Sequence, residues 1–118
     1  MIFSLTLQKT TDMLLSFTLS NFRSFKAKKT LDLTAATIKE YEESLFSTVG
    51  LSVLPSAVLY GANSSGKSNL IEAIRTFLTT VYDSASYNSS EELPMAPFMF
   101  DEDSRTKPSC FEIELLID

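Results

Sequence analysis

Eight consecutive residues near the middle of the chain constrain its fold more than any other feature. They match the pattern G-x-x-x-x-G-K-[ST] at every fixed position. They read Gly61-Ala62-Asn63-Ser64-Ser65-Gly66-Lys67-Ser68. In this pattern the two glycines, Gly61 and Gly66, allow backbone angles that a side chain would forbid, so that successive N–H groups point inward. The motif therefore predicts a phosphate-binding loop between a strand and a helix.

The polar side chains at the end of the loop predict how it would act on phosphates. Lys67 brings a full positive charge to the phosphate oxygens, and we assign it the catalytic role in the motif. Ser68 offers its hydroxyl to Mg²⁺ and is the predicted metal ligand. The backbone N–H groups of residues 61–68, together with the start of the following helix, form the predicted cradle.

The segments on either side of the motif fit this interpretation. Residues 56–60 are small or apolar and predict a short buried strand. Residues 67–82 contain no glycine or proline, and their apolar positions recur at helical spacing, which predicts an amphipathic helix. A Gly/Ser turn that happens to contain a lysine is the alternative.

The first third of the chain predicts β-structure. Residues 13–20, from Leu15 onward, and residues 29–34 alternate between apolar and polar side chains, which predicts two strands that pair as a hairpin. Phe22 and Phe25 are the predicted core anchors around the turn at Asn21.

The remaining segments give weaker patterns. Residues 35–50 predict a loop or a short helix, and residues 83–97 predict an exposed connection. An acidic turn is predicted at residues 101–103. Residues 110–115 alternate strictly, which predicts an antiparallel or edge strand with one face in water.

Composition excludes several kinds of chemistry. The 118 residues include no His and a single Cys, Cys110. This excludes His-based acid–base catalysis, conventional zinc sites and an internal disulfide. The N-terminus lacks the basic start of a signal peptide, and the apolar runs are short of the ~20 residues of a membrane-spanning helix. We therefore expect one soluble, cytoplasmic domain with no membrane partner.

Charge is distributed unevenly along the chain. Ten Lys and Arg oppose fifteen Asp and Glu, giving a net charge of −5, and the acidic excess follows residue 60. Four of the basic residues, Arg23, Lys26, Lys28 and Lys29, lie close together. This cluster is suited either to contact phosphates or to guard an exposed edge strand.

Two stretches resemble the N-terminal portion of RecF/SMC-like ABC-class ATPases, a group that includes OLD-type nucleases and anti-phage defence ATPases. The stretches read Leu19-Ser20-Asn21-Phe22-Arg23-Ser24-Phe25 and Leu59-Tyr60-Gly61-Ala62-Asn63-Ser64-Ser65-Gly66-Lys67-Ser68-Asn69-Leu70-Ile71-Glu72-Ala73-Ile74. The resemblance covers most of the chain from Met13 onward. Residues 13–118 are therefore expected to form an incomplete ATP-binding P-loop NTPase domain, preceded by an N-terminal extension at residues 1–12.

The resemblance implies a specific fold and specific ligands. The fold is an α/β P-loop NTPase, the N-terminal part of an ABC ATPase head, with an antiparallel sheet packed beside a parallel core strand and the P-loop helix. ATP and Mg²⁺ are the implied ligands, two heads form a homodimer around the nucleotide, and DNA is a further partner. Arg23 is expected near the nucleotide, although a surface turn position is the alternative. Asn69 completes the predicted nucleotide-contacting set and supports the helix.

Other elements of that group have no clear counterpart in the sequence. Its Walker B strand ends in Asp-Glu, and its Leu-Ser-Gly-Gly-like signature and His switch are missing here. Leu115-Leu116-Ile117-Asp118 is an apolar run that ends in Asp. Because Glu112 and Glu114 alternate with apolar residues just before it, an antiparallel strand is the favoured interpretation over a Walker B strand.

Three classes of function follow. The favoured one is an ATP-binding ATPase head, linked to DNA repair or phage defence, in which hydrolysis needs elements absent from this sequence. The alternative is a non-enzymatic regulatory or interaction module that retains the P-loop as a relic. A small kinase or a transporter ATPase ranks last, because a kinase would need an Arg-rich lid and a complete core, and a transporter ATPase would not carry the Asn21-Phe22-Arg23-Ser24 stretch.

Overall fold

The computed structural model describes residues 12–35, 45–48, 50–88, 90–91, 93 and 95–117. Five strands and two helices are present among them. In chain order they are β1 (Met13–Ser20), β2 (Lys29–Asp32), β3 (Phe46–Thr48), β4 (Leu51–Val53), α1 (Lys67–Asp83), α2 (Glu102–Thr106) and β5 (Cys110–Leu116). Of the predicted N-terminal extension, residues 1–11 lie outside the described residues, as does Asp118 of the Walker B alternative.

Three of the strands form one antiparallel sheet with the order β2-β1-β5. Beyond the end of β2, the Leu33 N–H donates to the carbonyl of Leu15 in β1 at 2.8 Å. On the other side of β1, the Ser16 hydroxyl donates to the carboxylate of Glu114 in β5 at 3.2 Å. The predicted hairpin and the predicted antiparallel edge strand are both confirmed, which favours the antiparallel interpretation of the C-terminal run over Walker B.

The chain divides into two compact units. The first comprises Met1–Phe17, Thr30–Tyr60 and Ile113–Asp118, and the second comprises Thr18–Lys29 and Gly61–Glu112. Leu15, Phe17 and Val53 are the buried apolar residues of the first unit.

A short β-hairpin in the first unit replaces the loop or helix predicted for residues 35–50. Strands β3 and β4 pair antiparallel, with Phe46 opposite Val53, and Gly50 provides the turn with φ +79°. The Ala35 N–H donates to the carbonyl of Ser52 at 2.7 Å. Residues 36–44 and 49 lie outside the described residues. The prediction was wrong for the hairpin because three-residue strands are too short for a reliable alternating pattern.

The second unit contains α1 and α2 around a small aromatic core. Leu19, Phe22 and Ala73 are its buried apolar residues. The ring of Phe111 packs edge-on against Phe22 at 5.3 Å between centroids and against Phe77 of α1 at 6.4 Å. Phe22 is thus confirmed as a core anchor, and the predicted helix is confirmed with one further residue at its end.

The acidic turn predicted at residues 101–103 is instead the start of α2. Asp101 occupies the N-cap position, and Glu102 and Asp103 lie in the first turn. Carboxylates at this end of a helix are favoured by its dipole, and Arg105 complements the other end. The same acidic residues therefore support a helix rather than a simple turn.

The strand predicted just before the motif does not form. Residues 54–62 are neither helical nor extended in a ladder, and the Tyr60 side chain is 90% exposed. A buried parallel strand needs hydrogen-bonded neighbours, and none of the described strands pairs with this segment.

Within the described ranges, no helix is long and apolar enough to span a bilayer.

Candidate functional site

The motif forms a tight loop that leads directly into α1. The Ser65 N–H donates to the carbonyl of Ala62 at 3.1 Å, which closes a turn across the centre of the loop. Ser64 and Gly66 both have left-handed backbone angles, with φ of +71° and +94°. Gly66 is the N-cap, and its carbonyl accepts the first helical hydrogen bond from Leu70 at 3.0 Å. The predicted strand is missing, but the predicted loop-to-helix junction is present.

The two motif glycines serve different purposes. Gly66 has the positive φ that the sequence analysis assigned to both glycines. Gly61 has no such angle; a β-carbon there would lie 2.6 Å from the Ser65 hydroxyl oxygen, so its requirement is space. The backbone argument therefore holds for Gly66 and is wrong for Gly61.

The start of α1 is electrostatically suited to an anion. Its first turn contains no acidic residue, and among the described residues no side chain caps it. The first N–H groups of a helix lack acceptors within the helix, and they carry about half a positive charge together. An anion in front of residues 66–68 would accept hydrogen bonds from these N–H groups and would balance their partial positive charge.

Lys67 places its ammonium group inside the loop. Its Nζ donates to the carbonyls of Gly61 at 2.6 Å and Ala62 at 2.7 Å, and to the Ser65 hydroxyl at 3.1 Å. The charge of the side chain is therefore held across the loop at the start of α1. Ser68 lies in the same first turn and is exposed, so its hydroxyl is accessible to a metal ion that arrives with a ligand.

A second segment lies directly against the start of α1. We call residues 21–26 the Asn21 loop. The Asn69 side-chain amide donates to the Ser24 hydroxyl at 2.8 Å. A β-carbon added at Gly66 would lie 3.2 Å from the same hydroxyl and 3.4 Å from the ring of Phe25. The two stretches that carry the family resemblance are thus in contact through residues 45 positions apart in the chain, and the Asn69 side chain is directed to this contact.

Arg23 occupies an exposed turn position in the same loop. It has φ +48°, and its guanidinium lies 5.7 Å from the centroid of the Phe22 ring. Its backbone N–H donates to the carbonyl of Ala96 at 2.7 Å. The guanidinium is therefore placed over Phe22, and a contact with nucleotide stays a prediction.

Sequence reasoning identified Asn21 only as a turn residue, yet its side chain makes four hydrogen bonds to the backbone. Its amide nitrogen donates to the carbonyls of Ser104, Lys107 and Pro108 at 2.8, 2.8 and 3.3 Å. The signal for a turn was present in the sequence, because asparagine tolerates the left-handed angle that it adopts here, φ +49°. The long-range acceptors lie more than eighty residues away and give no local signal.

Two of the four residues of the basic cluster form ion pairs. Lys26 lies 3.0 Å from the Asp101 carboxylate, and Lys28 lies 2.9 Å from that of Glu112. These contacts favour the interpretation of the lysines as a solvated surface beside the sheet.

The hydrogen bond from Lys26, followed by that from the Ser104 hydroxyl, lowers the pKa of Asp101 below its ordinary value. A carboxylate with a lowered pKa in the folded protein contributes stability above its unfolded-state pKa and loses it as the pH falls through the folded-state value. We expect Asp101→Asn to melt at a lower temperature than the wild type at neutral pH, with the difference disappearing as the pH falls below the ordinary pKa of an aspartate and through the lowered pKa of Asp101. Thermal melts over this range measure it. Glu102→Gln, which removes a neighbouring charge, is the control, and a difference that is independent of pH would contradict the expectation.

The loop, the lysine and the open helix end match the loop-to-helix part of a P-loop, the phosphate-binding element of nucleotide-binding proteins, without the strand that precedes it there. The family described as "AAA domain, putative AbiEii toxin, Type IV TA system" matches residues 56–118, and the chain belongs to it. No curated protein and no solved structure is significantly similar to the chain. The matched range includes the whole of the motif and all of α1. The match therefore supports a P-loop NTPase-like domain with a nucleotide-binding function.

Proposed function

We propose that residues 61–68 bind ATP as its Mg²⁺ complex. The single observation that carries the proposal is the position of the Lys67 ammonium, held inside the loop by two carbonyls at the uncapped start of α1. A cation and a set of free N–H groups that converge in this way favour a polyphosphate. Family membership favours the same class of ligand.

The residues present fit such a ligand. The N–H groups at residues 66–68 and the Lys67 ammonium would hold phosphate oxygens, and the Ser68 hydroxyl would hold the metal ion. When bound, Mg²⁺ neutralises part of the phosphate charge. Because Lys67 already has three hydrogen-bond acceptors within the loop, the phosphates would have to compete with them for its ammonium protons.

We further propose that the domain is an ATPase head of the RecF/SMC/OLD-like type, in a cytoplasmic protein that dimerises through its heads. The contact between Ser24 and Asn69 supports this, because it joins the two stretches that carry the resemblance. The description of the family names a toxin of a toxin–antitoxin system, which is compatible with a role in phage defence rather than in DNA repair.

Binding, rather than hydrolysis, is the activity proposed for these residues. Hydrolysis also needs a group that positions the attacking water and one that stabilises the developing charge. The loop supplies Lys67 for the second task, and the sequence offers no clear residue for the first.

Thermal unfolding tests the proposal against the relic alternative. A ligand present at 100 times its Kd stabilises a protein by about 2.7 kcal/mol, which for a domain of this size raises Tm on the order of 10 °C. We expect such a rise with Mg²⁺-ATP and none with Mg²⁺ and adenosine, which lacks the phosphates. A Tm that is indifferent to Mg²⁺-ATP would favour a relic P-loop.

DNA is the partner for which the site gives the least support. Two of the three lysines that would meet it, Lys26 and Lys28, are paired with carboxylates of the same unit. We expect the triple variant Lys26→Glu, Lys28→Glu and Lys29→Glu to leave DNA affinity and its salt dependence unchanged. Titrations at several salt concentrations measure both, and a salt slope reduced by about one or more would instead assign these lysines to phosphate contacts.

A further inference from the structure

Asn21 is a buried amide whose hydrogen bonds join the Asn21 loop to the segment around α2. The residue is 7% exposed. Its side chain donates to three carbonyls, those of Ser104, Lys107 and Pro108, and its Oδ1 accepts from the Phe98 N–H at 3.1 Å. Both ends of the amide are therefore used, which is the arrangement that a buried polar side chain requires.

The backbone of the same loop is closed by its own hydrogen bonds. The Asn21 N–H donates to the Lys26 carbonyl at 3.2 Å, and Phe22 and Phe25 exchange bonds of 2.9 and 2.8 Å. The Ser109 hydroxyl donates to the Asn21 carbonyl at 2.5 Å. These hydrogen bonds, several of which involve Asn21, therefore hold the Asn21 loop in its conformation.

The opposite side of the loop contacts the P-loop. Ser24 accepts the hydrogen bond from Asn69, three residues beyond the N-cap Gly66, and its hydroxyl also lies beside Gly66. Gly66 is where the chain adopts the left-handed angle that directs the first N–H groups of α1. A shift of Ser24 would therefore act on the junction that determines where those groups point.

We propose that Asn21 is a positioning residue for the P-loop and that it acts through Ser24 and Asn69. The inference rests on the proposed function only for its nucleotide readout. A simple structural role would stabilise the unit as a whole. A positioning role predicts a local effect that is confined to the junction between Gly66 and Asn69.

Asn21→Asp is the sharpest variant, because it keeps the shape, the acceptor for Phe98 and the tolerance of a left-handed angle, and puts a negatively charged acceptor where the amide donates to three carbonyls. Asn88→Asp makes the same chemical change at an exposed position and is the matched control. We expect Asn21→Asp to speed exchange about tenfold at the Ser65 and Leu70 amides, which donate to the carbonyls of Ala62 and Gly66, and to leave residues 74–82 at the wild-type rate. Mg²⁺-ATP binding should weaken by about the same factor, and Asn88→Asp should change neither quantity.

Ser24→Ala keeps the proposal testable if Asn21→Asp does not fold. It removes the hydroxyl that receives Asn69 and leaves every hydrogen bond of Asn21 in place. We expect a change of about threefold in exchange at the Ser65 and Leu70 amides and in affinity, with little loss of Tm. Faster exchange over all of α1, or a silent Ser24→Ala beside an active Asn21→Asp, would overturn the inference. Local exchange effects in a protein that binds no ATP would support the positioning role and reject the proposed function.

Discussion

Replacing Lys67 with alanine is expected to weaken the binding of Mg²⁺-ATP on the order of 10- to 100-fold. The estimate follows from the loss of charge-assisted hydrogen bonds to phosphate, worth about 1.5–3 kcal/mol in total. Lys67 is the residue whose ammonium lies within the loop, bonded to the carbonyls of Gly61 and Ala62. Isothermal titration calorimetry on the wild type and the variant measures the difference directly.

Lys29→Ala is the matched control for this experiment. It removes an equally charged but exposed side chain from β2 and should leave the affinity unchanged. Thermal melts without ligand check that the loop tolerates the loss of the bonds made by Lys67. Equal affinity of the wild type and Lys67→Ala would show that the ammonium does not bind the nucleotide.

Replacing Gly66 with alanine is expected to lower both stability and nucleotide affinity. An L-residue at φ +94° pays about 1–2 kcal/mol in backbone strain. The added β-carbon would also lie 3.2 Å from the Ser24 hydroxyl, so that the Asn21 loop or the start of α1 must shift. Because the same junction directs the first N–H groups of α1, we expect affinity for Mg²⁺-ATP to fall at least tenfold, on the order of 1.4 kcal/mol. Denaturant unfolding and calorimetry measure the two effects.

Gly50→Ala separates the strain from the contact. Gly50 also has a left-handed angle, φ +79°, but among the described residues no atom outside its chain neighbours lies within 4 Å of the position of an added β-carbon. This variant should therefore lose stability through backbone strain alone and keep its nucleotide affinity. If Gly66→Ala bound Mg²⁺-ATP as tightly as Gly50→Ala does, the junction would not be part of the binding site.

The sequence was sufficient wherever a pattern extended over many residues. The helix from Lys67 and the strand Met13–Ser20 were predicted almost to the residue, because residues 67–82 carry a helical period and residues 15–20 alternate strictly. The motif likewise located the loop and the lysine, since its spacing is determined by the phosphate chemistry itself.

Elements that depend on distant partners were not predictable in this way. A strand forms only if a neighbour accepts its hydrogen bonds, and residues 56–60 find none among the described strands although their composition suits a strand. The short strands β3 and β4 do form, because they have hydrogen-bonded neighbours. Thr34 bridges to Val53 and adds a partner that the local sequence pattern does not reveal. The hydrogen bonds of Asn21 are the extreme case, because all the carbonyl acceptors of its side chain lie in residues 104–108.

The most direct test of the account is a titration of the protein with Mg²⁺-ATP followed by the backbone amide resonances of residues 61–69. Donors that turn from water to a phosphate oxygen change their chemical environment strongly, and Gly66, Lys67 and Ser68 supply the N–H groups that face the expected ligand. We predict saturable shifts that are largest at these three residues, together with smaller ones at Ser24 and Asn69, and none with adenosine. Resonances of residues 61–69 that remain unchanged at saturating Mg²⁺-ATP would contradict the assignment of this loop as a nucleotide site.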